Sequence, residues 1–258
     1  MRSILTILCL VLIGHCAFAQ GRLQIQADLG VSFPVGTFGK TDPTAMQSGA
    51  FAVEIVNRGF DKSKAGFATA GYKTGINIGY TLFKRFTLLA NYQYATNGVN
   101  EKALAETVQG LWQGDFNERV SHNKYETNSF LFGARYEIPV FMDEQLSFHL
   151  MAGPSTMRYP GYTISYPDFN FVYTQREEFI IQKKYDDPTA TMLAFGLGYT
   201  RPITEIFFAG IQLEYTTANF NYEMINGSAP GGSDFFYFED TVVYRTINFG
   251  FVIGAKPF

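Results

Sequence analysis

Between Leu193 and Tyr215 the chain alternates with a period of two through both arms of a hairpin. Leu193, Phe195, Leu197 and Tyr199 interleave with Ala194, Gly196, Gly198 and Thr200. After a Thr204-Glu205 turn, Phe207, Ala209, Ile211, Leu213 and Tyr215 interleave with Phe208, Gly210, Gln212 and Glu214. Such a pattern gives each strand one apolar face and one small or polar face. A water-soluble sandwich would turn the apolar face inward and carry charge outside. Here the second face is mostly glycine, threonine, glutamine and a lone glutamate, which suits the inside of a narrow barrel with lipid around it.

The same rhythm recurs along the chain. Its outward series are Leu23 to Phe33, Tyr72 to Leu82, Phe86 to Tyr94, Phe130 to Ile138, Leu146 to Ala152 and Ile247 to Ile253. With the hairpin they make eight strands. Three connections are tight, at 84–85, 142–145 and 203–205. Four are long, at about 36–66, 97–126, 159–189 and 226–234. Asp42-Pro43 and Asn100 can each cap a short helix, the second followed by Leu104, Val108 and Leu111 at helical spacing. In the third connection Tyr162, Ile164 and Tyr166, then Phe169, Phe171 and Tyr173, predict a hairpin raised beyond the membrane. The reading is all-β: an eight-stranded antiparallel transmembrane β-barrel with short periplasmic turns and long extracellular loops. A soluble ligand-carrying barrel would have to enclose Asp28, Lys73, Asn77, Arg135, Glu137, Gln212 and Glu214 in an apolar cavity, at a high desolvation cost.

Residues 1–19 read as a cleaved secretory leader: a basic start at Arg2, an apolar run from Ile4 to Phe18, and Ala17-Phe18-Ala19 before Gln20. The barrel domain is then 20–258. Both cysteines, Cys9 and Cys16, leave with the leader, so the remainder offers no thiol to a disulfide, metal or nucleophile. The formal charge of −3 becomes −4 without Arg2, which gives no reason to expect nucleic acid as a partner. No later stretch is apolar for the ~18 residues of a membrane-crossing helix. These observations place the protein in the outer membrane of a Gram-negative-type bacterium, with the lipid bilayer itself as its first partner.

An eight-stranded barrel has room inside for side chains and little else. The inward glycines Gly30, Gly75, Gly79, Gly133, Gly196, Gly198 and Gly210 make space for longer neighbours. Asp28, Lys73, Arg135, Glu137 and Glu214 are expected to form a hydrogen-bonded ion cluster in the lumen, because an unpaired charge there would be costly. Such a cluster serves as a structural plug or as a gate. Ser147 and His149 share one face two residues apart and invite a lipid-modifying reading, since a serine needs an adjacent base to attack an acyl group. They face the lumen near the periplasmic turn, whereas outer-membrane lipid-A deacylases work at the lipid-facing surface, so no catalytic role is assigned. His122 has no second histidine nearby for zinc, and Asp42, Asp186 and Asp187 lack the spacing of a calcium loop. No cofactor is expected. The aromatic loops offer a surface to a protein partner.

Three stretches resemble the PorT-like outer-membrane β-barrel family, itself similar in shape to the OmpA barrel. They are Gly75-Ile76-Asn77-Ile78-Gly79-Tyr80-Thr81-Leu82-Phe83; Tyr136-Glu137-Ile138-Pro139-Val140 with Met151-Ala152-Gly153-Pro154-Ser155 across a hairpin; and the last strand, ending in Phe258. The resemblance implies a non-enzymatic envelope component that docks onto a secretion or assembly machine. It also implies that Phe258 is a C-terminal assembly signal read by the outer-membrane assembly machinery. Phe258, however, follows Pro257 and falls out of phase with Ile247, Phe249, Phe251, Ile253 and Ala255. A small-solute or hydrophobic-molecule channel is the alternative role.

Overall fold

The computed structural model describes residues 23–41, 65–104, 106, 119–122, 124–141, 143–167, 176–183, 187–229 and 235–256. Among the described residues there are eleven strands: β1 (Leu23–Pro34), β2 (Ala68–Phe83), β3 (Phe86–Val99), β4 (Arg119–His122), β5 (Tyr125–Pro139), β6 (Gln145–Arg158), β7 (Tyr162–Pro167), β8 (Arg176–Lys183), β9 (Thr189–Pro202), β10 (Phe207–Ala229) and β11 (Phe235–Ala255). Eight of them, in the order β11-β1-β2-β3-β5-β6-β9-β10, pair antiparallel, and β10 pairs with β11 to close the ring. The chain is an eight-stranded antiparallel closed β-barrel. The closing ladder between the first and last strands runs from Ile25↔Ala255 to Pro34↔Thr246.

Period-two alternation sets the two faces. In β1, Gln24, Gln26, Asp28 and Ser32 are buried while Leu23, Ile25, Leu29, Val31 and Phe33 are exposed. The outward faces of the other barrel strands are likewise apolar, with Phe132 61%, Leu150 63% and Phe251 71% exposed. The distribution is the inverse of a water-soluble barrel: polar groups inside, aliphatic and aromatic side chains outside. No described helix is long and apolar enough to cross a membrane.

The tight turns sit where the sequence places them, at 84–85, 140–144 and 203–206 between paired strands. In the second of these, Asp143 takes a left-handed conformation (φ 68°), which aspartate tolerates better than most side chains. At the opposite end Asn100 caps a helical turn, accepting from the Ala103 N–H at 3.0 Å. The raised hairpin is formed by β7 and β8, paired from Tyr162↔Ile181 to Pro167↔Arg176. Its second arm is therefore Arg176–Lys183; Phe169, Phe171, Tyr173 and the Asp42-Pro43 helix start lie outside the described residues.

Two expectations are corrected. The first part of the loop expected at 226–234 is strand: 226–229 belong to β10, 230–234 lie outside the described residues, and β10 and β11 continue as one ladder to Gly227↔Phe235, well past the end of their pairing with β9 and β1. Gly227 and Ser228 read as loop by composition, yet Gly227 pairs with Ile180 of β8 and Phe235 of β11, and Ser228 with Phe179 of β8. The extension carries a raised sheet in the order β11-β10-β8-β7-β4. Secondly, the E-I-P and A-G-P-S stretches stand on paired strands but at opposite ends of them, Glu137 facing Ser147 and Ala152 facing Phe132.

The lumen at the long-connection end is an apolar core. Phe38 and Phe67, from the β1–β2 connection, and Leu104 meet Tyr125, Met157, Phe220, Tyr222 and Tyr244 from the strands and Tyr159 just beyond β6. Phe38 packs against Tyr125 and Tyr244 with ring centroids 5.1 and 4.9 Å apart. Backbone bonds hold the connection down: Gly66 N–H to Thr37 O (2.8 Å), Ala68 N–H to Phe38 O (3.0 Å) and Asn100 N–H to Phe67 O (2.7 Å). The Tyr125 hydroxyl donates to Gly66 O at 2.9 Å.

Candidate functional site

Below that core the inward face turns polar, because β1, β2, β3, β5, β6 and β10 each place amide or charged side chains at alternate positions. Lys73 Nζ donates to Glu214 Oε1 at 2.5 Å and lies 3.7 Å from Asp28. Glu214 Oε2 faces His149 Nε2 at 3.0 Å and accepts from Gln212 Nε2 at 3.2 Å. Asn91 donates to Asn77 at 2.8 Å, and Asn77 donates to Asp28 at 3.2 Å. Towards the short turns, Arg135 pairs with Glu137 at 2.9 Å and donates to Gln26 at 3.0 Å and to Gln24. Gln26 Nε2 donates to Gln212 Oε1 at 3.4 Å and joins the two groups into one network. All five charged residues singled out in the sequence are buried.

Glu214, 1% exposed, is the centre of the arrangement, since it accepts from or faces three side chains on three strands. A carboxylate in such a place is tolerable only when its oxygens are satisfied. Sequence reasoning places His149 beside Ser147 and does not connect it to Glu214. The signal available is the shared inward phase of 149 and 214, but the 65-residue separation hides their contact. Ser147 Oγ donates instead to Gly198 O at 3.3 Å. The serine and the histidine thus have separate partners. Among the described residues no group of three or more His, Cys, Asp or Glu side chains could hold a metal. Phe258 lies outside the described residues.

The inward glycines do two different jobs. A Cβ at Gly75 would meet Asp28 Oδ2 at 2.7 Å, one at Gly196 would meet His149 Cε1 at 2.7 Å, and one at Gly198 would meet Ser147 Oγ at 2.6 Å. Gly75 and Gly198 thus make room for a neighbouring side chain, and Gly196 for the imidazole and, nearer still at 2.5 Å, for the Leu213 carbonyl of the paired strand. At Gly133 and Gly210 the obstruction is the carbonyl of Leu150 or Tyr199 on the paired strand, so a side chain there would force the strands apart. Gly196→Ala is expected to press on both the Leu213 carbonyl and the His149 imidazole and to destabilise the barrel by about 1–3 kcal/mol. Denaturant unfolding in lipid vesicles measures this, and an unchanged midpoint would mean that neither neighbour needs that space.

Between Gln24, Arg135, Gln145, Ser147 and Lys256, near the short turns, the lumen keeps a cavity of about 20 Å³. That is room for about one water. The buried Arg135 Nε, which has no hydrogen-bond partner within the protein, belongs to its lining side chain.

No family model and no curated relative matches the chain. Solved structures do. Neisserial surface protein A is 8% identical, with 91% of this chain and 96% of that one covered and a TM-score of 0.42. The outer membrane protein OprG of Pseudomonas aeruginosa is 13% identical over 92% and 96%, with a TM-score of 0.45. A major outer membrane protein of Thermus thermophilus is 8% identical over 90% and 98%, with a TM-score of 0.44.

Proposed function

We propose that this protein is a non-enzymatic barrel of the bacterial outer membrane, exported by a leader at 1–19. In this reading the short turns face the periplasm, and the long connections and raised sheet face outward. The barrel is plugged and works as a structural or partner-binding component of the envelope. One observation carries this reading: the lumen is filled along its length, by aromatic side chains at one end and by the Lys73–Glu214–His149 network below them. A wide pore has no place in such an interior. The apolar exterior supports the membrane assignment, because water does not tolerate a continuous belt of that size.

Asp28, Lys73, Arg135, Glu137 and Glu214 act as the plug in this proposal, and Phe258 as the assembly signal. The finer reading, a PorT-like component that docks onto a secretion or assembly machine, rests on the sequence resemblance. Extraction of the tagged barrel from outer membranes in mild detergent, with its companions identified by mass, tests it. A stoichiometric protein companion is expected, and a barrel that elutes alone would remove the docking role. In planar bilayers the protein is expected to give no steady unit conductance; regular open steps would overturn the plug and favour a small-solute channel.

A further inference from the structure

The three short turns differ in charge. The β5–β6 turn carries Asp143 and Glu144, and the β9–β10 turn carries Glu205 beside Arg201, whose Nε lies 3.7 Å from Glu144. The β2–β3 turn carries Lys84 and Arg85, both exposed and both without an ion-pair partner among the described residues. Aromatic rings flank them at Phe83 and Phe86, which pair across the turn.

The strand leading into this turn is irregular. Thr81 faces Thr87, but Phe83 faces Phe86, so β2 holds one extra residue at Leu82. A bulge of this kind breaks the alternation. Leu82 and Phe83 consequently both point outward, Phe83 72% exposed. They extend the apolar belt down to the two cations, and Phe86, which Phe83 faces, pairs in turn with the exposed Tyr136 of β5. The Glu137 N–H donates to Arg85 O at 2.8 Å and fixes the turn against that neighbour. Cations at the lower rim of an apolar belt, beside outward-facing rings, stand where a bilayer carries its phosphates.

We propose that the Phe83–Phe86 turn is a phospholipid site: Lys84 and Arg85 hold the lipid phosphate, and Leu82 and Phe83 lie against the glycerol and the first methylenes. This rests on the bilayer placement argued above. Continuity with the lipid-facing belt favours a lipid over a periplasmic protein, for which an interrupted belt would be expected.

Native mass spectrometry of the detergent-purified barrel, titrated with phosphatidylglycerol or with diacylglycerol, tests the site. The barrel should retain phosphatidylglycerol and release diacylglycerol, which lacks the phosphate. The K84Q/R85Q double variant should lose about thirtyfold in phosphatidylglycerol retention, each cation being worth roughly fivefold at an anionic surface. K102Q, at the other end of the molecule, should retain it unchanged. Equal retention by the double variant, or of the two lipids, would overturn the proposal, including in favour of a protein at this turn. Heat-modifiable gel migration verifies that each variant is folded. Flotation with phosphatidylcholine vesicles tests the bilayer placement separately.

Discussion

Glu214→Ala is expected to destabilise the barrel by about 3–5 kcal/mol, the cost of leaving a buried charge without its partner. The substitution strands two groups at once. Lys73 keeps only Asp28, at 3.7 Å, and His149 Nε2 loses the oxygen it faces at 3.0 Å. A lost attraction between surface charges would be far milder. Glu144, paired with the largely exposed Arg201, is the control, and Glu144→Ala should cost no more than about 1 kcal/mol. The sharper test is the pair. Lys73→Met combined with Glu214→Leu, with Asp28→Asn so that no carboxylate is left facing the lost cation, removes the charges together and should recover much of the loss, since an apolar replacement of a buried pair is often neutral. Equilibrium denaturation in phosphatidylcholine vesicles reads all of these proteins. A Glu214→Ala variant as stable as the Glu144→Ala control would show that the network adds nothing to stability.

Phe38→Ala should cost a similar amount, about 3–5 kcal/mol, for a different reason. Its ring is fully buried between Tyr125 and Tyr244. Its carbonyl accepts from Ala68, and its neighbour Thr37 accepts from Gly66. Removing the ring therefore leaves a cavity and frees the connection that seals that end. Phe67 sits in the same seal with φ 54°, a conformation unfavourable for a bulky residue. Three contacts hold it there: a fully buried ring, its N–H on Lys40 O at 3.1 Å, and its carbonyl accepting from Asn100. The strand ladders make no use of Phe38, so the variant should migrate as a folded barrel and yet be cut faster by added protease between β1 and β2. Unchanged cleavage and an unchanged midpoint would mean that the ring does not hold the connection.

The membrane-facing half of this architecture can be read from the chain with no coordinates. Ile25, Leu29, Val31 and Phe33 announce their face because lipid demands apolar atoms at every outward position, and a period-two pattern records that demand directly. The lumen is harder for a physical reason. Which inward groups meet depends on the stagger between strands, and Lys73 finds Glu214 across 141 residues of sequence. The spacing of neither residue encodes that stagger. His149 looks like a partner of Ser147 on the same ground, nearness along one strand against nearness across the barrel. Glycines are equally ambiguous in one dimension: Gly198 and Gly133 look alike in the sequence, but one faces a serine hydroxyl and the other a carbonyl. The rise of β10 and β11 beyond the ring is hidden because Asn226, Gly227 and Ser228 carry no period-two apolar pattern and read as loop by composition. The Leu82 bulge leaves only a faint mark, two large apolar residues in succession before Lys84.

The ladder that joins β1 to β11 sets a condition on how the molecule comes into being. Its outermost pair, Ile25 with Ala255, brings together residues 230 positions apart. Nearly the whole polypeptide must therefore be present before the cylinder can shut. Contacts so distant in sequence form slowly. Until they form, both terminal strands expose unpaired backbone that would join any similar edge it met. Nascent chains of this protein cannot mature piecemeal. Each stays open, with both edges unpaired, until the cylinder closes in a single late event.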